Sequence, residues 1–184
     1  MNVEIKKAKI TNSMFLYYEF KRTDVTSNDI CKISSDAPMH NDLHKAFKSL
    51  IPCFALITEQ IADETLVKAA IEEPENYLED KETATDQSFF KFRVHEVSIK
   101  GKDGFEFYQI FGSRQLENYK EIHFSTPEFS LTDDDLKFKT ELTDLIKILK
   151  EEVIKYMEGK QAPKQQLEMF GSGDSEETEF ENED

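Results

Sequence analysis

The stretch from Ser88 to Leu131 leaves the chain few options. Phe90, Phe92 and Val94 alternate with polar residues, and Val97 and Ile99 continue the alternation on the opposite parity. A period of two marks a strand with one buried face. The change of parity at His95-Glu96 predicts a β-bulge, because one extra residue re-aims every side chain that follows. Gly101-Lys102-Asp103-Gly104 reads as a tight turn, so Phe105 to Gly112 returns as the antiparallel partner. A third strand is expected over Ile122–Leu131, interrupted by Pro127.

Two further strands are expected at Val3–Lys9 and Met14–Arg22. In the second, Met14, Leu16, Tyr18 and Phe20 share one side while Phe15, Tyr17, Glu19 and Lys21 share the other, so aromatics lie on both faces. Thr23 to Ser35 reads as a connection with a short strand at Ile30–Ile33. Asp36-Ala37-Pro38 reads as a helix entrance. Leu43, Phe47, Leu50, Ile51, Phe54 and Ile57 then recur at helical spacing, with Pro52 set to kink or split the helix. Thr132 followed by Asp133, Asp134 and Asp135 predicts the start of a long last helix whose apolar stripe runs from Leu142 to Met157 and ends at Gly159. The fold class is therefore α+β: an antiparallel sheet of about five strands, one kinked helix and a long C-terminal helix. An OB-like barrel is one arrangement such strands can take. Residues 1–159 form the body, 160–170 a linker and peptide, and 171–184 a tail.

Charge is unevenly placed. The net charge is −15, yet residues 59–86 hold ten acids and two bases, and residues 171–184 hold seven acids and no base. Overlapping the first of these segments, Ala62–Gln87 reads as an acidic insertion, a mobile loop with a short apolar piece at Leu66–Ile71. Such a balance disfavours tight binding to duplex DNA, where phosphate neutralisation supplies much of the affinity. Cys31 and Cys53 lack metal-ligand spacing and read as free thiols of a reducing compartment. No long apolar run suggests a membrane partner, so a cytoplasmic protein of a bacterial or phage-infected cell is expected.

The sequence offers little for catalysis. It has no glycine-rich phosphate loop, no nucleophile elbow and no CxxC, and Cys53 falls on an apolar helix face, so no enzyme and no cofactor is expected. His40 and His44 stand four apart with Asp42 between them, a spacing that can bring two imidazoles to one metal. With no second motif they read as exposed polar helix residues, and no metal is assigned. Aromatics interleaved with bases are more suggestive. Phe15, Tyr17, Lys21 and Arg22 form one group; Phe89, Lys91, Arg93, Lys100, Lys102, Tyr108, Arg114 and Tyr119 form another. Phe89, Lys91, Arg93 and His95 are expected to share one strand face. Single-stranded nucleic acid uses such rings for stacking and such cations for its phosphates.

The C-terminal region carries the remaining signal. Pro163 stops the preceding helix, and Gln166-Leu167-Glu168-Met169-Phe170 follows. This pentapeptide resembles the Gln-Leu-x-Leu-Phe motif by which bacterial and phage replication and repair proteins engage the sliding clamp, with Met169 in place of Leu. Gln166 would hydrogen-bond and Leu167, Met169 and Phe170 would fill an apolar pocket. The competing reading packs these residues onto the body as a last turn. Residues 171–184, with Phe180 as their aromatic, are expected to be disordered. They resemble the acidic tails of phage and bacterial single-stranded-DNA-binding proteins, which recruit replication partners; a solubilising tail is the plain alternative. Together these features point to a phage-type replication or recombination accessory that binds single-stranded DNA and recruits the sliding clamp or another replication protein. The rival is an acidic adaptor or inhibitor, in one form a DNA mimic, that binds a basic protein and no nucleic acid.

Overall fold

The computed structural model describes residues 2–23, 28–102 and 104–162. The pentapeptide and the tail, with Gln166, Leu167, Met169, Phe170 and Phe180, lie outside them. Strands β1 (Asn2–Thr11), β2 (Phe15–Thr23) and β3 (Asn28–Pro38) are followed by helices α1 (Asn41–Ser49), α2 (Ile51–Ile57) and α3 (Glu64–Glu72). A π-helical turn at Glu75–Glu79 and a 3-10 turn at Ser88–Lys91 lead to β4 (Phe92–Lys102), β5 (Phe105–Gln115), β6 (Glu121–Ser125) and α4 (Lys139–Met157). All strand pairings are antiparallel. The six strands lie in the order β3-β2-β1-β4-β5-β6, an open sheet with β3 and β6 at its edges.

Periodicity explains the layering. Along β2, Leu16, Tyr18 and Phe20 are buried while Phe15, Tyr17, Glu19 and Lys21 are only partly so. Ile5, Ala8, Val97, Ile99, Tyr108 and Ile110 extend the buried face across the sheet. The helices pack on that face: α4 presents Ile146, Leu149 and Val153, and α1 and α2 present Leu43, Phe47 and Phe54, all essentially inaccessible. Tyr156 of α4 fixes the far edge, its hydroxyl donating to Ser35 Oγ of β3 at 2.7 Å. The bulge expected at His95 is present: Val94 pairs with Gly112 and Glu96 with Phe111, leaving His95 over. The hairpin turn is tighter than expected: Gly101 and Lys102 still belong to β4, with Gly101 opposite Glu106. The Gly101 φ of +93° suits glycine, and a Cβ there would lie 2.2 Å from the Phe105 carbonyl oxygen.

Pro52 splits the helical pattern, as its position requires. Leu50 ends α1 and precedes α2, and Pro52 sits in the first turn of α2, where a missing N–H costs nothing. Elsewhere the structure differs from expectation. The sheet has six strands because β3 runs eleven residues, continuing through Asp36-Ala37-Pro38 instead of starting a helix there. The acidic segment is not a loop: α3 and the π-helical turn are anchored by Val67, Ala70 and Leu78, which are buried. The last helix starts at Lys139, not Thr132. The Asp133 carboxylate accepts the Ser130 N–H in a tight turn, and Phe138 adopts a left-handed φ of 52° just before the helix. Among the described residues, no helix is long and apolar enough to cross a membrane.

Cys53 is 2% exposed, and burial, with a smaller push from Glu141, raises its thiol to about 12. Cys31 on β3 is partly exposed. A thiol reagent at pH 8 is therefore expected to label one cysteine per folded chain and both after denaturation. Rapid labelling of both in the folded protein would contradict the packing around α2.

Candidate nucleic-acid interface

Directly opposed residues in a sheet share a face, so the ladders define what the uncovered side presents. One row crosses all six strands: Ser34, Tyr17, Lys9, Glu96, Phe111 and Ser125. Beside it runs a second, Lys32, Glu19, Lys7, Ser98 and Gln109. Toward the turn between β4 and β5, Lys100 faces Phe107 and Lys102 faces Phe105. On the other flank stand Arg93, Ser113 and His123. Rings and cations are thus interspersed, with acids and small polar residues among them, across the surface opposite the helices.

The acids on this face are already engaged. Glu96 is buried, and Lys7 and Lys9 both close on its carboxylate, at 2.7 and 3.4 Å. One carboxylate between two ammonium groups leaves a surplus positive charge. Glu19 accepts the Tyr17 hydroxyl at 2.6 Å and lies 3.5 Å from Lys32. The Tyr17 hydrogen bond, then Lys32, hold its carboxyl below the usual range. Phe105 and Phe107 are exposed, at 79% and 48%. Water-facing rings beside lysines are what stacking on unpaired bases requires.

The structure brings together Phe15, Tyr17, Lys21, Arg93, Lys100 and Lys102 from the expected set on this one face. It separates the others. Phe89 is 1% exposed, because Ser88–Lys91 form a 3-10 turn and not the start of a strand, so strand parity does not apply to it. Lys91 on that turn pairs with Glu117, away from the ladder rows. Tyr108 is in the core, with its hydroxyl donating to Glu106 and accepting from Lys150. Arg114 faces the helices, its guanidinium 5.6 Å from the Phe92 ring and donating to Gln60 Oε1 at 3.0 Å. Arg22 has the inward parity, opposite Val3 and Asp29. Lys7, Lys9, Phe105, Phe107 and Phe111 were missed as site residues. The parity of the Phe105–Gly112 strand, read from its inward Tyr108, would have found the three phenylalanines. In β1, Lys6 is an extra residue between Ile5 and Lys7, and it obscures the alternation.

His40 is buried, contrary to expectation. It caps α1, with Nδ1 accepting the Leu43 N–H at 3.3 Å. A neutral ring that accepts at Nδ1 carries its proton at Nε2, and Nε2 faces Glu152 at 3.6 Å. His40, Asp42 and Glu152 offer ligand atoms within 4.8 Å of one another. That tautomer has no lone pair to give a metal at Nε2, and the Lys160 ammonium already bridges Asp42 at 2.6 Å and Glu152 at 2.8 Å.

A cleft interrupts the sheet. Strands β1 and β4 pair only from Lys7 to Lys9 with Glu96 to Ser98, then diverge. The gap, about 530 Å³, lies between Ile10 and Ser13 on one side and Arg93 and His95 on the other, and reaches His44 and Phe47 of α1 beneath. His123 of β6 meets His95 at its rim, with ring centroids 5.9 Å apart.

Compared with protein-family models, with curated proteins and with solved structures, the chain matches none.

Proposed function

We propose that this protein binds single-stranded DNA across the outer face of its sheet and serves as a phage-type accessory of DNA replication or recombination. The pentapeptide Gln166–Phe170 would bring it to a sliding clamp or another replication protein. The observation that carries the reading is the gathering of Tyr17, Phe107 and Phe111 with Lys7, Lys9 and Lys100 on the face opposite the helices. Unpaired bases can stack on such rings while the backbone follows the lysines; a duplex hides its base faces and gains little from them.

The test is fluorescence anisotropy of a labelled single-stranded oligonucleotide against the full-length chain and a chain lacking residues 171–184. Binding should weaken with salt by a log–log slope of about 0.7 per phosphate contacted, and should strengthen on removing the seven tail acids. Phe107→Ala should weaken it roughly tenfold, in the range of one lost stacked base. No binding by either chain at low salt would reject the proposal. Gln166→Ala with Phe170→Ala should abolish capture of the clamp; unchanged capture would detach the pentapeptide from that role.

A second reading has one observation in its favour. The exposed acids Asp63, Glu64, Glu72, Glu73, Glu75 and Glu79 stand on the ordered scaffold of α3 and its following turn, a fixed negative surface suited to a basic protein. Failure of oligonucleotide binding together with retained partner capture would favour it.

A further inference from the structure

We propose that the cleft between β1 and β4 is a binding site for a nucleoside phosphate, either a free nucleotide or the phosphorylated 5′ end of a DNA strand. The strand-end source rests on the single-strand reading above; the free-nucleotide source does not. Three features converge. The size, about 530 Å³, falls in the range of small-ligand clefts. Aromatic and aliphatic side chains, among them Phe47, Phe90 and Ile51, line the interior and suit a planar base. Apart from the single acid Glu121, the titratable groups are cationic or capable of becoming so: Lys48, Arg93, His44, His95 and His123. An apolar body with cations on the α1 wall and at the strand rim suits a base carrying a phosphate.

The cations are placed to turn toward a guest. Arg93 is 71% exposed and only loosely paired with Glu121, at 3.9 Å, so its guanidinium can re-aim without disturbing the core. Lys48 lies 5.8 Å from the centre of the Phe90 ring and donates to a carbonyl, that of Glu79, and not to a carboxylate. Glu121 is held back by the Ser113 hydroxyl, which donates to it at 3.2 Å.

A dependence on pH follows. Burial holds His44 below the ordinary imidazole range, with His40 beside it adding to the effect. Burial also lowers His95; Glu96 and Glu121 pull it back up, while His123 and Lys9 push it down. Both rings are thus neutral at pH 8 in the empty cleft, and an entering phosphate favours their protonated forms. Affinity should rise as pH falls from 8 toward 6, by up to roughly tenfold per pH unit for each proton taken up.

Calorimetric titration of the full-length protein with thymidine 5′-monophosphate, thymidine and inorganic phosphate tests the site. The monophosphate should bind at least tenfold more tightly than either fragment. Arg93→Gln should cost about tenfold, and His95→Gln should flatten the pH profile. Phe107→Ala, on the open face, should leave the monophosphate affinity unchanged while weakening a long oligonucleotide. Oligonucleotides with a 5′-phosphate or a 5′-hydroxyl separate the sources. A gain of about tenfold from the phosphate assigns the site to strand ends, and equal binding with retained monophosphate affinity assigns it to free nucleotides. Monophosphate binding without any oligonucleotide binding would refute the single-strand reading and leave the cleft assignment standing. No monophosphate binding at millimolar concentration and pH 6, or binding indifferent to both Arg93→Gln and His95→Gln, would overturn it. Inorganic phosphate binding as tightly as the monophosphate would overturn the nucleoside part.

Discussion

Replacing Phe54 by alanine is expected to cost the folded state about 3–5 kcal/mol, the range for an enclosed phenylalanine whose neighbours cannot collapse into the space. Its side chain is wholly inaccessible. The ring stacks on Phe124 of β6 at 5.0 Å between centroids and 19° between planes. It also lies so close to Gly112 that a Cβ there would meet it at 2.7 Å. Phe54 therefore ties α2 to the last two strands, and β6 is held otherwise by five residue pairs with β5. A loss of that size is a large fraction of the roughly 5–15 kcal/mol that stabilises a domain. Urea denaturation should show a lowered midpoint at unchanged slope. A loss below about 1 kcal/mol, the scale of an ordinary surface change, would mean that the ring is not enclosed.

Gly112→Ala should destabilise for the complementary reason. The added methyl would stand 2.4 Å from the Arg93 carbonyl oxygen and 2.7 Å from the Phe54 ring. A side chain can swing away, but the carbonyl belongs to the neighbouring strand beside its bulge and yields only by shifting backbone. Overpacking of this kind costs about 1–3 kcal/mol. Because Phe54→Ala vacates one of the two obstructions, the double variant should lose less than the sum of the single losses. The coupling should be about 0.5–3 kcal/mol, as for residues in contact. Strict additivity would place the whole penalty on the carbonyl, and a neutral Gly112→Ala would contradict the close approach altogether.

Much of the architecture was legible where a local rule faced no competitor. The two-sided alternation of β2, the bulge at His95, the hairpin joining β4 to β5 and the division at Pro52 each follow from one residue or one period. The failures share a cause as well. Ser34, Ser35 and Asp36 carry no strand preference, yet β3 runs through them because Ser34 pairs with Tyr17 and Pro38 with Phe15 on either side of a register shift. Thr132 has the side chain of a helix cap but is drawn, with Asp133, into the turn around Ser130. The acidic run looked unable to fold because its three buried anchors, Val67, Ala70 and Leu78, are widely spaced among charges. At the candidate interface the residue types were legible and the parity was not. Phe89 and Tyr108 were taken for open-face rings, while Phe105, Phe107 and Phe111 hold that position.

The width of the cleft is set by residue count more than by side-chain chemistry. Lys6 in β1 and His95 in β4 are each one residue too many for their partners, and they stand on either side of the three pairs that join the two halves of the sheet. The cleft opens at the His95 end, where the surplus residue puts the β4–β5 ladder out of step just where the β1–β4 pairing stops. Exchanging the imidazole of His95 changes what the opening attracts. Only shortening the chain there would let the two edges meet.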